Sequence, residues 1–367
     1  MDNPIEKLNA DFETNQRILR LIAHIDHYKG EWNIVEKREN RYLRELRIMA
    51  TTQSIGSSTR IEGAVMEDDE IRELLKNIKI TKMETRDEQE VAGYYDVLEL
   101  IYENYGGIKL SESYIKQLHQ LLLKYSDKDT RHRGQYKSLS NQVAATYPDG
   151  SQRIIFATTE PALVEGEMYE LTAWTNRRFE EQNIHPLLVI AFFIYEFLSV
   201  YPFQDGNGRL SRLLTTLCLL QHGYGFIQYI SFENHIEAHK TEYYEALMDG
   251  QRNRGTAQER IHRWLIFFLE SLKALTEKLD QKYRLFKSKG GYLNDRQILI
   301  RDFITARQPV KFSDLALHFP DIPEGTLKKD LQYLRDEKTI TMIGQGRGSI
   351  YVTGISENSS KSLTMAY

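Results

Sequence analysis

Cysteine is almost absent from this chain, which has one, Cys218, among 367 residues. A disulfide framework and a cysteine metal site both need more than one, so both are excluded, and the apolar neighbours of Cys218 predict a small buried side chain. Apolar runs of about 18 residues are also missing, and the first residues lack the basic and apolar regions of a secretory signal. We therefore expect a cytoplasmic protein without membrane contact.

Positive charge is not in excess either. The chain has 48 Lys and Arg against 52 Asp and Glu, a formal net charge of -4. This excludes a protein whose whole surface binds nucleic acid, because such a surface needs clustered positive charge. Apolar residues, in contrast, make up 41% of the chain, which is enough for one large core and a smaller second one.

Helical spacing of apolar residues dominates roughly the first 285 positions. Residues 187–200 are apolar on nearly all sides, as in a central buried helix. Strand-forming residues at 142–147 and 153–158 flank Pro148-Asp149-Gly150 and predict a β-hairpin. The predicted fold class is mainly α with this one hairpin.

A second unit is predicted over residues 292–354, after the glycine pair at 290 and 291. Its patterns indicate three helices, then two strands around a glycine-rich tip, which is the order of a winged helix-turn-helix domain of α+β class. The predicted bounds are 295–306, 313–318 and 323–337 for the helices and 339–343 and 349–352 for the strands. Residues 355–367 are expected to form a flexible tail.

The partner of this second unit stays open between DNA and protein. Lys328, Lys329 and Arg335 on the third helix and Arg347 at the wing tip can form one basic face. However, residues 290–355 carry nine Lys and Arg against eight Asp and Glu, a weak charge signature for DNA.

Residues 201–212 read Tyr-Pro-Phe-Gln-Asp-Gly-Asn-Gly-Arg-Leu-Ser-Arg. Gly206 and Gly208 allow close approach of a ligand to the backbone, and a helix continuing from Leu210 would direct its N-terminus at an anion. Arg209 and Arg212 suit phosphate oxygens, and the carboxylate at 205 suits Mg²⁺ that bridges phosphates. The alternative is an ordinary turn followed by solvated arginines.

The string resembles the motif of the Fic (Fido) family, His-x-Phe-x-Asp/Glu-Gly-Asn-Gly/Lys-Arg-x-x-Arg. The first position differs, since Tyr201 stands where the family has histidine. The resemblance spans roughly residues 50–270 and implies a helical Fic core at 106–286, after an N-terminal helical region at 1–105, with the hairpin as target-docking flap. The matching positions are Phe203, Asp205, Gly206, Asn207, Gly208, Arg209 and Arg212.

The resemblance implies a protein adenylyltransferase that uses ATP and Mg²⁺. Such an enzyme transfers AMP to a Ser, Thr or Tyr hydroxyl of a target protein or of the chain itself; a homo-oligomer is compatible with the sequence. The implied roles are Asp205 for Mg²⁺, the Gly206–Gly208 backbone with Asn207, Arg209 and Arg212 for the phosphates, Tyr244 beside adenine, and Tyr201, Asn207 and Arg209 as the catalytic set.

An upstream segment resembles the inhibitory motif of the family, Ser/Thr-x-x-x-Glu-Gly/Asn. Ser58, Glu62 and Gly63 match it, although alone it reads as a helix ended by its glycine. The resemblance implies that Glu62 pairs with Arg212 and takes space needed by the γ-phosphate of ATP. Removing that carboxylate is then expected to raise transfer.

Tyr201 puts turnover in question. The histidine of the family removes a proton from the attacking hydroxyl, whereas tyrosine, with an ordinary pKa of about 10, is ionised to roughly one part in a thousand at neutral pH. We expect Arg209 and Arg212 to lower its pKa. Loss of a general base costs about 10²- to 10⁴-fold in rate.

Three explanations of this tyrosine stay open: a degenerate protein that binds nucleotide without transfer, slow transfer with water or phosphate taking the proton, and a substitution introduced to trap a complex. The first leads to an alternative function, a nucleotide-binding regulator that acts through the C-terminal domain. His119 and His132 precede the predicted flap without metal-type spacing, and we consider His132 the first to substitute if activity appears.

Overall fold

The computed structural model describes residues 5–37, 41–78, 82–146, 152–288, 293–337, 339–344 and 346–353. The predicted turn at residues 148–150, the glycine pair at 290 and 291 and the tail at 355–367 lie outside the described residues. The chain divides into two compact units, residues 1–279 and 280–367.

The first unit is helical, as predicted from the apolar spacing, with short 3-10 turns at Glu6–Leu8 and Gly225–Tyr229. The last of its helices, α11 (His262–Ser288), begins in the first unit and ends in the second. The α-helices in the described part are α1 (Phe12–Glu36), α2 (Arg41–Ile61), α3 (Asp68–Lys76), α4 (Arg86–Asn104), α5 (Glu112–Leu122), α6 (Pro161–Glu181), α7 (Pro186–Val200), α8 (Asn207–Gln221), α9 (Phe232–Ala238), α10 (Lys240–Gln251) and α11 (His262–Ser288).

The predicted hairpin is confirmed. Strands β1 (Gln142–Thr146) and β2 (Gln152–Ala157) pair antiparallel, with Gln142 opposite Ala157 and an irregularity after Val143. Their β-branched and aromatic residues favour the extended backbone.

Helices α7 and α8 form the centre of the first unit, and nearly every residue of both is buried, including Cys218. Buried Glu196 interrupts the apolar surface of α7, and its charge is neutralised by Lys7 at 2.6 Å and Arg254 at 3.0 Å. None of the described helices combines the length and hydropathy that crossing a bilayer requires.

The second unit has the predicted three helices, each ending within one residue of its predicted bounds, and a small sheet. Its core is apolar, with Ile300, Ile304 and Leu327 fully buried. Strand β3, which precedes α13, was not predicted because two residues are too short to show a period. The elements are α12 (Asp295–Arg307), β3 (Val310–Lys311), α13 (Phe312–His318), α14 (Glu324–Asp336), β4 (Thr341–Ile343) and β5 (Ile350–Val352), in sheet order β3-β5-β4.

The basic face predicted for this unit is only partly described. Lys328 and Lys329 are exposed on α14, and Lys328 lies 3.5 Å from Glu324. The side chain of Arg347 lies outside the described residues. The winged-helix assignment and its partner therefore stay predictions.

Candidate functional site

The loop between α7 and α8 has an unusual backbone. Tyr201 caps α7 with a left-handed conformation, φ 51° and ψ 61°, which a residue with a side chain adopts at a cost of about 1 kcal/mol or more. Gly206 is also left-handed, with φ 78°, and directly precedes α8. Helix α8 therefore begins at Asn207, three residues before the predicted start, so that Gly208 and Arg209 belong to its first turn.

Asn207 closes this loop. Its Oδ1 accepts the Phe203 N–H at 2.9 Å, and its Nδ2 donates to the Phe203 carbonyl at 2.7 Å. The side chain is 1% exposed. These contacts give Asn207 a loop-shaping function, while its role in catalysis and nucleotide binding stays a prediction.

His119 supports the loop from α5. Burial lowers its pKa to about 4, so the ring is neutral at pH 7. Its Nδ1 accepts the Gly134 N–H at 2.8 Å, which leaves Nε2 to donate to the Asp205 carbonyl at 2.9 Å. The ring also stacks on Phe203, with centroids 3.8 Å apart. His119 is thus a structural group rather than a proton acceptor for chemistry.

The segment matched to the inhibitory motif is the C-terminus of α2. Gly63 has φ 105°, its N–H donates to the Arg60 carbonyl, and the Ala64 N–H donates to the Thr59 carbonyl at 3.1 Å. This is a Schellman end, which requires glycine at Gly63. Glu62 immediately precedes that glycine, so the helix end fixes where its carboxylate begins.

Arg212 of α8 joins this helix end to the loop. Its Nε donates to Ser58 Oγ at 2.8 Å and its Nη2 to the Ser58 carbonyl at 2.9 Å. The same Nη2 lies 2.8 Å from Glu62 Oε1. The guanidinium is 3% exposed, so the Glu62 contact is a largely desolvated ion pair.

Glu62 also lies against the first turn of α8. A Cβ added to Gly208 would come within 2.2 Å of Glu62 Oε1 and 3.3 Å of Arg212 Nη1. The carboxylate therefore contacts the backbone at a helix N-terminus and a guanidinium together. Groups of this kind commonly bind a phosphate, and here a carboxylate lies against them.

Asp205 is held by three donors. Its Oδ1 accepts the Gly206 N–H at 2.6 Å and lies 3.2 Å from Arg209 Nη2, while its Oδ2 accepts from Lys128 Nζ at 2.8 Å. Burial alone would raise the pKa of this carboxyl, but Arg209 and Lys128 outweigh it and hold the pKa well below its usual range. Asp205 is therefore an ionised carboxylate.

The Asp205 carboxylate could bind a metal ion that arrives with a nucleotide. Mg²⁺ is commonly bound by one or two carboxylates together with substrate phosphates. Asp205 is 31% exposed and offers one such ligand, provided that Lys128 withdraws. Among the described residues, no three His, Cys, Asp or Glu side chains form a metal cluster.

Arg209 is more enclosed than its predicted role suggests. Its side chain is 1% exposed, and besides Asp205 it faces Glu90 Oε2 at 3.1 Å. Its Nε has no hydrogen-bond partner among the described residues. The carboxylates of Asp205 and Glu90 thus hold the buried guanidinium in place. Its contact with phosphate stays a prediction.

The expected lowering of the Tyr201 pKa is wrong. Desolvation raises the pKa of this phenol far above its usual value, and the carboxylates of Glu62 and Asp205 add to the increase. Arg212 opposes the shift but is outweighed. The sequence places Arg209, Arg212 and Asp205 in one loop but does not show how deeply the phenol is buried, and burial is the largest cause of the increase.

Tyr244 is 9% exposed on α10, and its ring meets that of Tyr243 edge to face, with centroids 5.2 Å apart. Burial, then Glu62 and Tyr201, raise the pKa of Tyr244, which indicates that this side chain lies close to Glu62. Its contact with adenine stays a prediction.

The base of the hairpin is attached to the same loop. Lys137 Nζ donates to Asn141 Oδ1 at 2.8 Å, Thr158 Oγ1 at 2.7 Å and the Val200 carbonyl at 3.1 Å. Asn141 Nδ2 donates to the Phe203 carbonyl at 2.8 Å. The hairpin and the loop are therefore positioned together.

Sequence reasoning missed Glu90, Lys128 and Lys137, which lie far along the chain from the loop and in no recognisable motif. It also passed over His119 as a support. His132, suggested for substitution, is 2.7 Å from Asp129 Oδ1. Only tertiary contacts reveal these groups.

The fold and site define a helical protein in which a loop with two glycines joins two buried helices and is closed by a carboxylate from the end of a third. A model of the Fic/DOC family matches residues 109–219. A Fido domain-containing protein of Dictyostelium discoideum is 32% identical over 117 residues, 32% of this chain and 76% of that protein. The chain belongs to the Fic/Fido family.

More distant relatives carry a functional name. A protein adenylyltransferase Fic of Drosophila willistoni is 27% identical over 209 residues, 56% of this chain. The chain covers 39% of that relative and 43% of its Drosophila grimshawi counterpart. It thus spans about two fifths of the adenylyltransferases it matches.

Two solved structures share the fold. A Fic family protein of Desulfovibrio desulfuricans superposes with a TM-score of 0.61 at 20% identity, covering 95% of this chain and 98% of that one. A Fic domain-containing signalling protein of Bacteroides thetaiotaomicron gives 0.58 at 21% identity, covering 74% and 100%.

Proposed function

We propose that this chain is a Fic-type protein adenylyltransferase that binds ATP at residues 201–212 and is held in a non-transferring form by Glu62. The observation that carries the proposal is the position of the Glu62 carboxylate, against Gly208 and 2.8 Å from Arg212. A carboxylate and a terminal phosphate compete for one guanidinium, and only one of them can pair with it.

The remaining groups of the loop fit the phosphates of ATP. The backbone from Gly206 to Gly208 lies at a helix N-terminus, which favours anions. Arg209 and Arg212 would add positive charge, and Asp205 would hold Mg²⁺, which neutralises phosphate charge when bound. The enclosed Tyr244 would border adenine.

Transfer requires a hydroxyl oxygen to attack the α-phosphorus while pyrophosphate leaves, and the hydroxyl proton needs an acceptor. Tyr201 is a poor acceptor, because its raised pKa keeps the phenol protonated. We therefore propose slow turnover, with Tyr201 in the position of the family histidine.

The raised pKa also favours a second candidate, a nucleotide-binding regulator that transfers nothing. In that case residues 292–354 would contact DNA or a protein as a winged helix. For the enzyme, the acceptor is a hydroxyl of a target protein or of the chain itself. A salt-dependent shift assay with duplex DNA tests whether residues 292–354 bind DNA or a protein, because DNA binding weakens steeply with salt.

Calorimetric titration with ATP and Mg²⁺ tests the binding half of the proposal. Glu62→Gly and Glu62→Gln should both bind ATP more tightly than the unchanged chain, by about tenfold for one released charge-assisted contact. Arg212→Met, the matched loss of the opposite charge, should weaken binding. Equal ATP affinity in all four proteins would show that Glu62 and the phosphate do not compete for Arg212.

A further inference from the structure

A cleft of about 670 Å³ opens between α2, α3 and α4. It lies toward the N-terminal end of α2, whereas Glu62 follows the C-terminal end. Ile48 of the cleft precedes Glu62 by 14 positions, roughly 21 Å along a helix that rises 1.5 Å per residue. Its lining includes Arg44, Arg47, Thr51, Arg72, Leu75 and Tyr95.

Cations outnumber carboxylates in this lining. Arg72 is 2.7 Å from Asp69, and Lys76 is 2.5 Å from Glu73, so these two charges are partly neutralised on α3 itself. Arg44 and Arg47 have no carboxylate oxygen within 4.0 Å in the described part of the chain. The guanidinium of Arg47 instead lies over the Tyr102 ring, 4.7 Å from its centroid.

The position of these arginines on α2 is electrostatically unfavourable. Arg44 and Arg47 are three residues apart in the first two turns, where the helix dipole is positive, and no acidic residue occupies the first turn. Like charges at this spacing repel each other. A bound anion would offset both costs.

One carboxylate of the lining opposes this charge, and Glu36 of α1, outside the lining, also interacts with Arg47. Glu99 of α4 is half-buried in the lining. Burial raises its pKa, although Arg47 pulls it down, so its negative charge is less firmly held than that of an exposed carboxylate. The lining as a whole keeps a positive excess.

Apolar surface lies beside these charges. Ile48 is 61% exposed within the cleft, and Leu75 and Tyr95 complete an apolar and aromatic wall. A volume of this size accepts a small organic molecule, since ligand sites commonly measure about 300–1,000 Å³.

We propose that this cleft is a binding site for an organic phosphate of nucleotide size, with the phosphate on Arg44, Arg47 and Arg72 and the organic body against Ile48, Leu75 and Tyr95. Inorganic anions lack the organic group that would contact the apolar wall, and neutral nucleosides lack the phosphate charge, so we expect both to bind more weakly. The inference concerns α2, α3 and α4 and holds whether or not the loop at 201–212 binds ATP.

AMP is a suitable probe, with inorganic phosphate and adenosine as its two halves. Calorimetry measures affinity, and hydrogen exchange read by mass spectrometry locates binding, either at residues 44–52 and 72–76 or at 201–212. The variants are Arg44→Met with Arg72→Met for the cleft, Arg212→Met for the loop and Arg177→Met, an exposed arginine of α6, as the matched control.

We expect AMP to slow exchange at 44–52 and 72–76 in the unchanged chain, in Arg212→Met and in Arg177→Met. The double cleft variant should lose about tenfold or more in affinity at this site, as expected for losing charge-assisted contacts. Its unchanged thermal unfolding would show that the fold is intact, since both arginines are exposed. AMP should bind more tightly than either half.

Three results would overturn the proposal. The first is protection by AMP at 201–212 alone, and the second is equal affinity of the double cleft variant and the Arg177→Met control. The third is binding of inorganic phosphate as tight as that of AMP, which would reduce the site to a simple anion contact.

Discussion

The Glu62 carboxylate lies where a side chain at Gly208 would begin. This contact leads to a prediction about two single residues. Gly208→Ala would place a methyl group 2.2 Å from Glu62 Oε1, so the carboxylate must move from Arg212. Alanine is otherwise the better helix residue, by about 1 kcal/mol.

We therefore expect Gly208→Ala to lower the free energy of unfolding by about 1–3 kcal/mol in the unchanged chain, the usual cost of disturbing a buried charged contact. In a Glu62→Ala background the same change should be neutral or stabilising. Chemical denaturation of the four proteins gives the coupling. Equal effects in both backgrounds would show that the carboxylate does not lie where the structure has it.

His119 makes stability depend on pH. Its folded pKa of about 4 lies below the usual value of about 6.5 for an unfolded chain. Between these two pH values the unfolded chain binds more protons than the folded chain, so the free energy of unfolding rises with pH. The stability that the neutral His119 ring contributes is therefore lost as pH falls from 6.5 to 4.

The loss from His119 should reach about 3 kcal/mol. His119→Gln, which keeps a donor and an acceptor, should show a smaller loss over the same range. His235, also with a lowered pKa of about 4, contributes to both proteins and cancels in the comparison. Parallel unfolding curves from pH 4 to pH 7 would exclude His119 as the cause.

Lys128 competes with any cation at Asp205, because its Nζ lies 2.8 Å from Oδ2. We expect Lys128→Met to lower, by about tenfold, the Mg²⁺ concentration that half-saturates ATP binding, as one charge-assisted contact no longer has to be broken. Lys109→Met, at another exposed lysine, is the control. The same Mg²⁺ requirement in all three proteins would show that Lys128 and the metal do not share the carboxylate.

At the scale of elements, the hairpin and the loop are joined by one lysine. Lys137 contributes three hydrogen bonds to Asn141, Thr158 and the Val200 carbonyl. Lys137→Met should remove all three bonds and speed hydrogen exchange in β1 and β2. Lys116→Met is the control, because the Lys116 ammonium lies over the Tyr136 ring, 3.9 Å from its centroid. Unchanged exchange in Lys137→Met would mean that the strands are held from elsewhere.

Helices and strands with a clear apolar periodicity were predictable from the sequence, whereas the turns that connect them were not. The apolar pattern identified α7, and the strand formers identified β1 and β2. The start of α8 at Asn207 depends on the left-handed Gly206 and on the bonds between Asn207 and Phe203, which are local geometry without a periodic signal. The groups that set the Tyr201 pKa come from several elements, so no local pattern contains them.

At the scale of the whole molecule, the chain divides into two compact units after Leu279, whereas the sequence analysis predicts the boundary near the glycine pair at 290 and 291. Helix α11 continues through that boundary, and a continuous helix conceals a division between units from sequence analysis. The overall charge of -4 makes broad nucleic-acid binding unfavourable, and any DNA contact would have to come from a local face such as the one on α14.

The central claim is that the loop at 201–212 binds ATP, that Glu62 weakens this binding, and that Glu62 and Tyr201 separately limit transfer. The most direct measurement is incorporation of label from α-labelled ATP with Mg²⁺ into the chain and added protein acceptors, for the unchanged protein, Glu62→Gly, Tyr201→His and the double variant. We expect the double variant to transfer most, with Tyr201→His contributing about 10²- to 10⁴-fold through general-base catalysis. A double variant that binds ATP but incorporates no more label than the unchanged protein would contradict the account.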